Sequence, residues 1–192
     1  MEYAPRSRDQ QTKTNLLKMK LILLITLTFL SSALVHTSES SREDIKILNR
    51  LHNKLDIELR AEGWSLRMEG GQFQVLIRYI ERGYARTCAP LNLQASEDLA
   101  IIFFDNLFEV YNDYRPLRPY LLNFPISSNN SLFFIEFYNK NGKIHEYPDI
   151  SNVVCTKGSL YFNSWNHSTK ELIEIKTESY ERISRIHKHI QK

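Results

Sequence analysis

Residues 21–35 constrain this chain more than any other stretch of its sequence, because fifteen mostly apolar residues follow one another there without a formal charge. Lys18 and Lys20 precede the stretch, and small and polar residues follow it as far as Ser38. A basic start, a short apolar core and a small-residue exit are the three parts of a secretory signal. We therefore expect residues 1–38 to be an N-terminal targeting segment of an exported protein, periplasmic or secreted.

The alternative is an uncleaved anchor, which would make the chain a single-pass membrane-anchored envelope protein that touches the bilayer only through residues 21–35. A permanent helical span needs about 20 apolar residues, so the stretch is short for that role. Residues 1–18 are long, polar and mixed in charge for a signal. Met19, followed by Lys20 and the apolar core, would begin a compact signal, so we expect translation to start there.

The charge balance of the remaining residues argues against nucleic acid as a partner. The whole chain carries a net charge of +3, and residues 1–20 alone hold five basic and two acidic groups. The region after the targeting segment is therefore neutral. Binding to a phosphate backbone requires clustered positive charge, so no nucleic-acid partner is expected.

Three stretches predict helices. Apolar residues repeat at intervals of three and four over residues 45–59, and Gly63 then supplies a C-cap. Ser96, followed by two acidic residues, predicts the start of a second helix. Ser168 and Glu171 have the spacing of a capping box, so the sequence predicts a long final helix that starts at Ser168.

The segments between the helices predict strands. Gly70 and Gly71 indicate a turn between the first two strands, Gly83 a break after the second, and Asn141-Gly142 a hairpin turn. Strands are predicted at residues 64–68, 73–81, 132–138, 144–147, 153–156 and 159–165. This order predicts an α+β fold, an antiparallel meandering sheet with about three helices packed on it, in a single globular domain of residues 39–192.

The chain has two cysteines, Cys88 and Cys155, and the sequence does not determine whether they form a disulfide. An even number of cysteines in an exported protein allows a disulfide, whereas the apolar neighbours of Cys155 are equally typical of a buried free thiol. No histidine lies at ligand spacing from either cysteine, and His145 is not followed by a second histidine one helical turn on. The sequence contains no glycine-rich phosphate loop, so neither a metal nor a cofactor is expected, and no catalytic residue is assigned.

The densest group of recognition-type side chains follows the second predicted helix. Tyr114, Arg115, Arg118 and Tyr120 lie among two prolines there. Planar guanidinium groups and amphipathic rings suit the recognition of carboxylates or peptides. The other interpretation is a helix exit in which the arginines pair with local carboxylates, Asp113 among them, and the tyrosines cover the core. We expect Arg118 to be structural and Arg115 to be exposed for recognition.

The same segment carries a resemblance. The sequence Arg-Pro-Tyr-Leu-Leu-Asn-Phe-Pro over residues 118–125, followed by a strand, resembles a pattern in small uncharacterised exported proteins of intracellular bacteria. The resemblance implies export and no particular activity.

Two classes of function fit these observations. The first is a non-enzymatic module that binds a protein or peptide through the Arg/Tyr segment and the sheet, and this is the one we expect. The second is a small enzyme whose site is assembled from distant residues. A sheet face lined with exposed aromatic rings would favour the first class. A cleft that gathers His145, Cys88 or paired carboxylates would favour the second.

The targeting segment gives the first testable prediction. We expect export with cleavage between Ala33 and Ser38, because the small residues signal peptidase requires lie only at this exit from the apolar core. N-terminal sequencing of the processed protein measures the cleavage point. A mature form that keeps residues 21–35 in the membrane fraction would contradict cleavage and favour the anchor.

Overall fold

The computed structural model describes residues 43–73 and 76–190. The targeting segment, the start at Met19 and the predicted cleavage site lie outside these residues. The helices are α1 (Glu43–Ala61), α2 (Leu93–Asp113) and α3 (Tyr180–Ile190), with a short 3-10 helix at Arg115–Tyr120. The strands are β1 (Trp64–Phe73), β2 (Ile77–Thr87), β3 (Ser131–Tyr138), β4 (Asn152–Thr156), β5 (Ser159–Asn166) and β6 (Glu171–Ser179).

The six strands form one sheet in the order β1-β2-β3-β4-β5-β6. Neighbouring strands are antiparallel except β2 and β3, which pair in parallel. The connection between β2 and β3 contains α2, as a parallel pair requires, because a short hairpin cannot bring two strands into the same direction. The predicted α+β class is confirmed, with one parallel pairing in an otherwise antiparallel sheet.

One face of the sheet carries the core. Strands β3, β4 and β5 alternate between buried and half-buried positions, so every second side chain points to the same face. The buried positions, such as Phe133, Val153 and Phe162, pack in one cluster with the apolar stripes of α1 and α2. The opposite positions, such as Phe134, Tyr138 and Tyr161, are only partly buried. The sheet therefore has a packed face and a second face with aromatic rings that reach the solvent.

The predicted breaks at the glycines of β1 and β2 are wrong. Gly70 and Gly71 lie within β1, and Gly83 lies in the middle of β2 beside Phe134 of β3. The Phe134 ring lies across Gly83, and a Cβ atom on this residue would overlap the ring. The glycine therefore makes room for an aromatic ring on the half-exposed face and does not end the strand.

The long final helix is also wrong in its first half. Residues from Glu171 to Ser179 form β6, paired antiparallel with β5, and α3 begins only at Tyr180. Asn166 accepts from the backbone amides of Ser168 and Thr169, so these residues form the turn between the two strands. The capping-box spacing of Ser168 and Glu171 therefore does not begin a helix. The backbone of residues 171–179 forms hydrogen bonds with β5 at the edge of the sheet instead.

Two smaller corrections concern element ends. The second helix begins at Leu93 and not at Ser96, because the side chain of Asn92 accepts from the amide of Ala95 and caps it. The predicted strand over residues 144–147 is reduced to two isolated bridges, Ile144 with Tyr138 and Glu146 with Trp165. The predicted C-cap is confirmed, since Gly63 follows α1 with a φ of +86°.

Among the described residues, no helix has the length and apolar character needed to cross a bilayer.

The contact between Gly83 and Phe134 gives a stability prediction. We expect Gly83→Ala to destabilise the fold by about 1–3 kcal/mol, because the added methyl group forces the Phe134 ring off the sheet. The free energy of unfolding from urea titration measures the loss. As a control, Gly83→Ala introduced into Phe134→Ala should cost much less, since the ring that it displaces is gone. Equal costs in both backgrounds would contradict the steric cause.

Candidate functional site

Arg118 of the predicted recognition segment is held against the end of α2. Its Nε and Nη2 donate to the carbonyl of Asn112 over 3.0 and 2.7 Å, and its guanidinium lies over the ring of Phe124 at 5.1 Å. A cation at this position satisfies a carbonyl that the last turn of a helix leaves without a partner. The geometry thus gives Arg118 a capping contact, and its partner is a backbone carbonyl and not the carboxylate of Asp113.

The other three predicted residues differ in their exposure and in what they contact. Arg115 is exposed and forms no side-chain hydrogen bond or ion pair within the part of the chain that the structure describes. Tyr120 is half-buried against the core. Tyr114 follows α2, packs against the core and lines a groove between α1 and α2. Of the four residues, Tyr114 is therefore the one that reaches a concave surface.

The groove between α1 and α2 is open to solvent and has a cavity volume of about 620 Å³. Its floor consists of side chains from both helices, including the buried Leu51, Leu55 and Leu107. Leu99 and Val110 are half-buried in its walls and Trp64 lies at its base. A concave apolar surface of this size is typical of a binding site.

Acidic side chains dominate the rim of this groove. Glu58, Glu62, Glu109 and Asp113 line it together with two basic residues. Lys54, one of the two, pairs with Glu58 at 3.7 Å. The guanidinium of Arg86 lies over the ring of Trp64, 5.2 Å from its centroid. The carboxylates of Glu62, Glu109 and Asp113 form no ion pair within the described residues, so the rim carries an excess of negative charge.

A second groove, of about 840 Å³, lies between α2 and α3. Asp105 of α2 lies in this groove and accepts hydrogen bonds from the hydroxyl groups of Tyr180 and Ser184 of α3, the latter at 2.9 Å. Lys188 completes the cluster with its Nζ 3.1 Å from Asp105 Oδ2. These contacts fasten α3 to α2, so the polar groups of this groove already have a structural use.

A buried cluster of charged and polar side chains lies under α1. Arg82 of β2 is fully buried, and its Nη2 contacts the carboxylate of Asp56 in α1. Its Nε donates to the hydroxyl of Tyr84 over 2.8 Å, and that hydroxyl donates to Asp56 over 3.0 Å. Glu69 faces Arg82 across the strand pair, 3.0 Å from Nη1, without the direction of a hydrogen bond. The contact between Glu69 and Arg82 is therefore an ion pair without a hydrogen bond.

His52 joins the same cluster to α2. Its Nδ1 lies 2.7 Å from Glu69 Oε1, and its Nε2 lies 2.8 Å from the hydroxyl of Tyr111. A carboxylate only accepts, so Nδ1 carries the proton and donates, while Nε2 accepts from Tyr111. Burial, and then the charge of Arg82, lower the pKa of His52 from 6.5 to about 4. His52 is therefore neutral near pH 7 and links α1 to β1 and α2.

Cys88 and His145 are close together, although 57 residues separate them in sequence. The Cys88 Sγ atom lies 3.9 Å from His145 Nε2, and the same Nε2 lies 3.2 Å from the carbonyl of Cys88. A nitrogen that donates to this carbonyl cannot accept the thiol proton. Burial also raises the pKa of Cys88, against the opposing charge of Arg86. Neither Cys88 nor His145 lines the two grooves.

The two cysteines are free thiols. Cys88 follows β2 and bonds to the carbonyl of Tyr138 at one end of β3, whereas Cys155 of β4 pairs with Phe133 near the other end. Five residues of strand separate these points, which is about 16 Å and far beyond the reach of a disulfide. Within the described residues, no three His, Cys, Asp or Glu side chains converge in a way that could hold a metal ion.

Sequence reasoning missed both the groove and the buried cluster. His52 and Asp56 are one helical turn apart and share a face of α1, which could have indicated a polar partner beneath the helix. Nothing in the local sequence of Arg82 indicates that β1, α1 and α2 surround it. Comparison of the chain with models of known protein families, with curated protein sequences and with solved structures finds no match.

The neutral state of His52 gives a pH prediction. The unfolded chain takes up a proton near pH 6.5, whereas folded His52 does so only near pH 4. The stability that neutral His52 contributes is therefore complete above about pH 6.5 and is lost as the pH falls through about 4, up to about 3 kcal/mol. Urea unfolding from pH 4 to pH 7 measures the slope. The control His52→Gln should flatten it, and an unchanged slope in that variant would contradict the assignment.

Proposed function

We propose that this chain is an exported, non-enzymatic module that binds a peptide segment of another protein in the groove between α1 and α2. The observation that carries the proposal is the groove itself, an open concave surface of about 620 Å³ whose apolar lining reaches the solvent through Leu59, Leu99, Ile102 and Val110. Contiguous apolar surface exposed on a soluble domain typically marks an interaction site.

The dimensions of the groove suit a helical segment. Its lining on α1 extends from Leu51 to Leu59, which is about 12 Å at the rise of an α-helix, and continues to Glu62 just beyond the helix. A partner helix of about three turns would cover this length and insert side chains at intervals of three and four residues. Leu99 and Val110 on α2 would contact the other side of the same helix.

The Arg/Tyr segment, residues 114–120, begins at the end of the groove. Tyr114 lines the groove, and the exposed Arg115 follows directly after it. Arg118 is turned back onto Asn112 and keeps α2 and the 3-10 helix together. We assign Tyr114 and Arg115 to partner contact and Arg118 to support, while Tyr120 packs against the core.

One observation favours the alternative, a small thiol enzyme, since the fold brings Cys88 within 3.9 Å of His145. A catalytic thiol needs a lowered pKa and an accessible site. The pKa of Cys88 is raised by burial, and the nitrogen nearest to it faces the Cys88 carbonyl. The groove, which has room for a ligand, lies elsewhere, so binding remains the better supported function.

Photo-crosslinking in the cells that make the protein tests the proposal. A photo-reactive amino acid replaces Glu58, which lines the groove, or Ile57, its neighbour on the same helix, which is 69% exposed and does not line the groove. We expect the first protein to give an adduct of defined mass and the second to give none, because the two side chains leave α1 about 100° apart. Adducts of equal yield, or no adduct from either position, would contradict the proposal.

A further inference from the structure

We infer that the partner segment is a cationic amphipathic helix, with lysine or arginine side chains on both sides of an apolar stripe. This inference rests on the proposed function and names the chemistry of the partner. It depends on the charges around the groove, which the shape of the groove does not determine.

Most carboxylates of the acidic rim form no ion pair within the described residues. Glu62 of the α1 side and Glu109 and Asp113 of the α2 side line the groove without an ion pair in the part of the chain that the structure describes. Of the two basic residues in the lining, Lys54 already pairs with Glu58 and Arg86 lies over Trp64. Three carboxylates at the groove are therefore left without an ion pair, and one of them, Glu109, lies where the two grooves meet.

Two of these carboxylates lie at the C-terminal ends of the helices that form the groove. Glu62 follows the last residue of α1, and Asp113 is the last residue of α2. The C-terminus of a helix carries partial negative charge, so a carboxylate there opposes helix stability. Arg60 in the last turn of α1 and Arg118 beyond α2 moderate this charge, but neither lines the groove. Carboxylates and helix ends thus add to one negative potential along an apolar floor.

The pattern of apolar and acidic side chains around the groove matches one class of ligand. An apolar floor between acidic walls fits a helix that carries leucine-like residues on one face and cations at the edges of that face. An anionic peptide of the same shape would bring like charges together along both walls, which disfavours binding. The selectivity should weaken in salt, because the rim carboxylates are exposed.

Three synthetic helical peptides with one apolar stripe test the inference on the purified full chain. They differ only in the flanking residues, which are all Lys, all Gln or all Glu. We expect the Lys peptide to bind roughly tenfold more tightly than the Glu peptide, with the Gln peptide between them, when several exposed charge pairs act together. Isothermal titration at low and high salt measures the affinities.

Two matched protein variants locate the effect. Glu62→Gln with Glu109→Gln removes one rim carboxylate from each side of the groove, whereas Glu43→Gln with Glu171→Gln removes two exposed carboxylates that do not line it. The preference for the Lys peptide should shrink at least threefold in the first variant and stay unchanged in the second. Both variants have the same net charge, so a general charge effect would appear equally in each.

The outcomes separate the inference from the proposed function. Equal affinity for the three peptides would overturn the cationic partner and leave the groove as a peptide site. Binding of none of them would overturn both. A Lys preference that persists in the groove variant would place the cation site elsewhere and overturn the inference. A chain that is dimeric alone and becomes monomeric with peptide would assign the groove to a second copy, and would overturn the proposed partner as well.

Discussion

The position of α1 on the sheet depends on one buried guanidinium group, that of Arg82. Arg82 is fully buried, and the groups that compensate its charge come from three elements, since Asp56 lies on α1, Glu69 on β1 and Tyr84 on β2. Loss of one partner from a buried ion pair costs about 3–5 kcal/mol, because the other charge stays buried without compensation. The charge of Arg82 on β2 thus ties α1 and β1 to that strand, and the Tyr84 hydroxyl adds a hydrogen bond within β2.

This cluster also determines the shape of the groove. His52 and Asp56 anchor one face of α1, while Leu51 and Leu55 on the neighbouring face form the groove floor. The bond between His52 and Tyr111 fixes the distance of α1 from α2 at one point, and the two helices leave an open space beside it. The buried contact between His52 and Tyr111 thus contributes to the spacing of α1 and α2 beside the groove, together with the apolar side chains that the two helices share.

The sequence predicts well those features that depend on neighbours along the chain. The periodic leucines of α1, its C-cap at Gly63 and the strand predicted at residues 132–138 all appear as expected, because these features depend on local spacing and composition. The predictions that are wrong concern residues whose secondary structure depends on contacts with distant parts of the chain. Gly83 continues a strand because Phe134 of another strand covers it, and residues 171–179 form β6 because β5 provides an edge. The Arg82 cluster unites four elements, so no window of sequence contains its signal.

The two thiols differ in what would have to move before a reagent could reach them. Cys155 is fully buried in a central strand, and burial raises the pKa of its thiol, whereas Cys88 is half-buried beyond the end of β2. Alkylation needs both access and the thiolate form. The rate at which Cys155 reacts would therefore follow the opening of the central sheet, and that of Cys88 the fraying of its edge loop. The native chain carries two chemical reporters of different depth, which makes local and global opening separable without an added label.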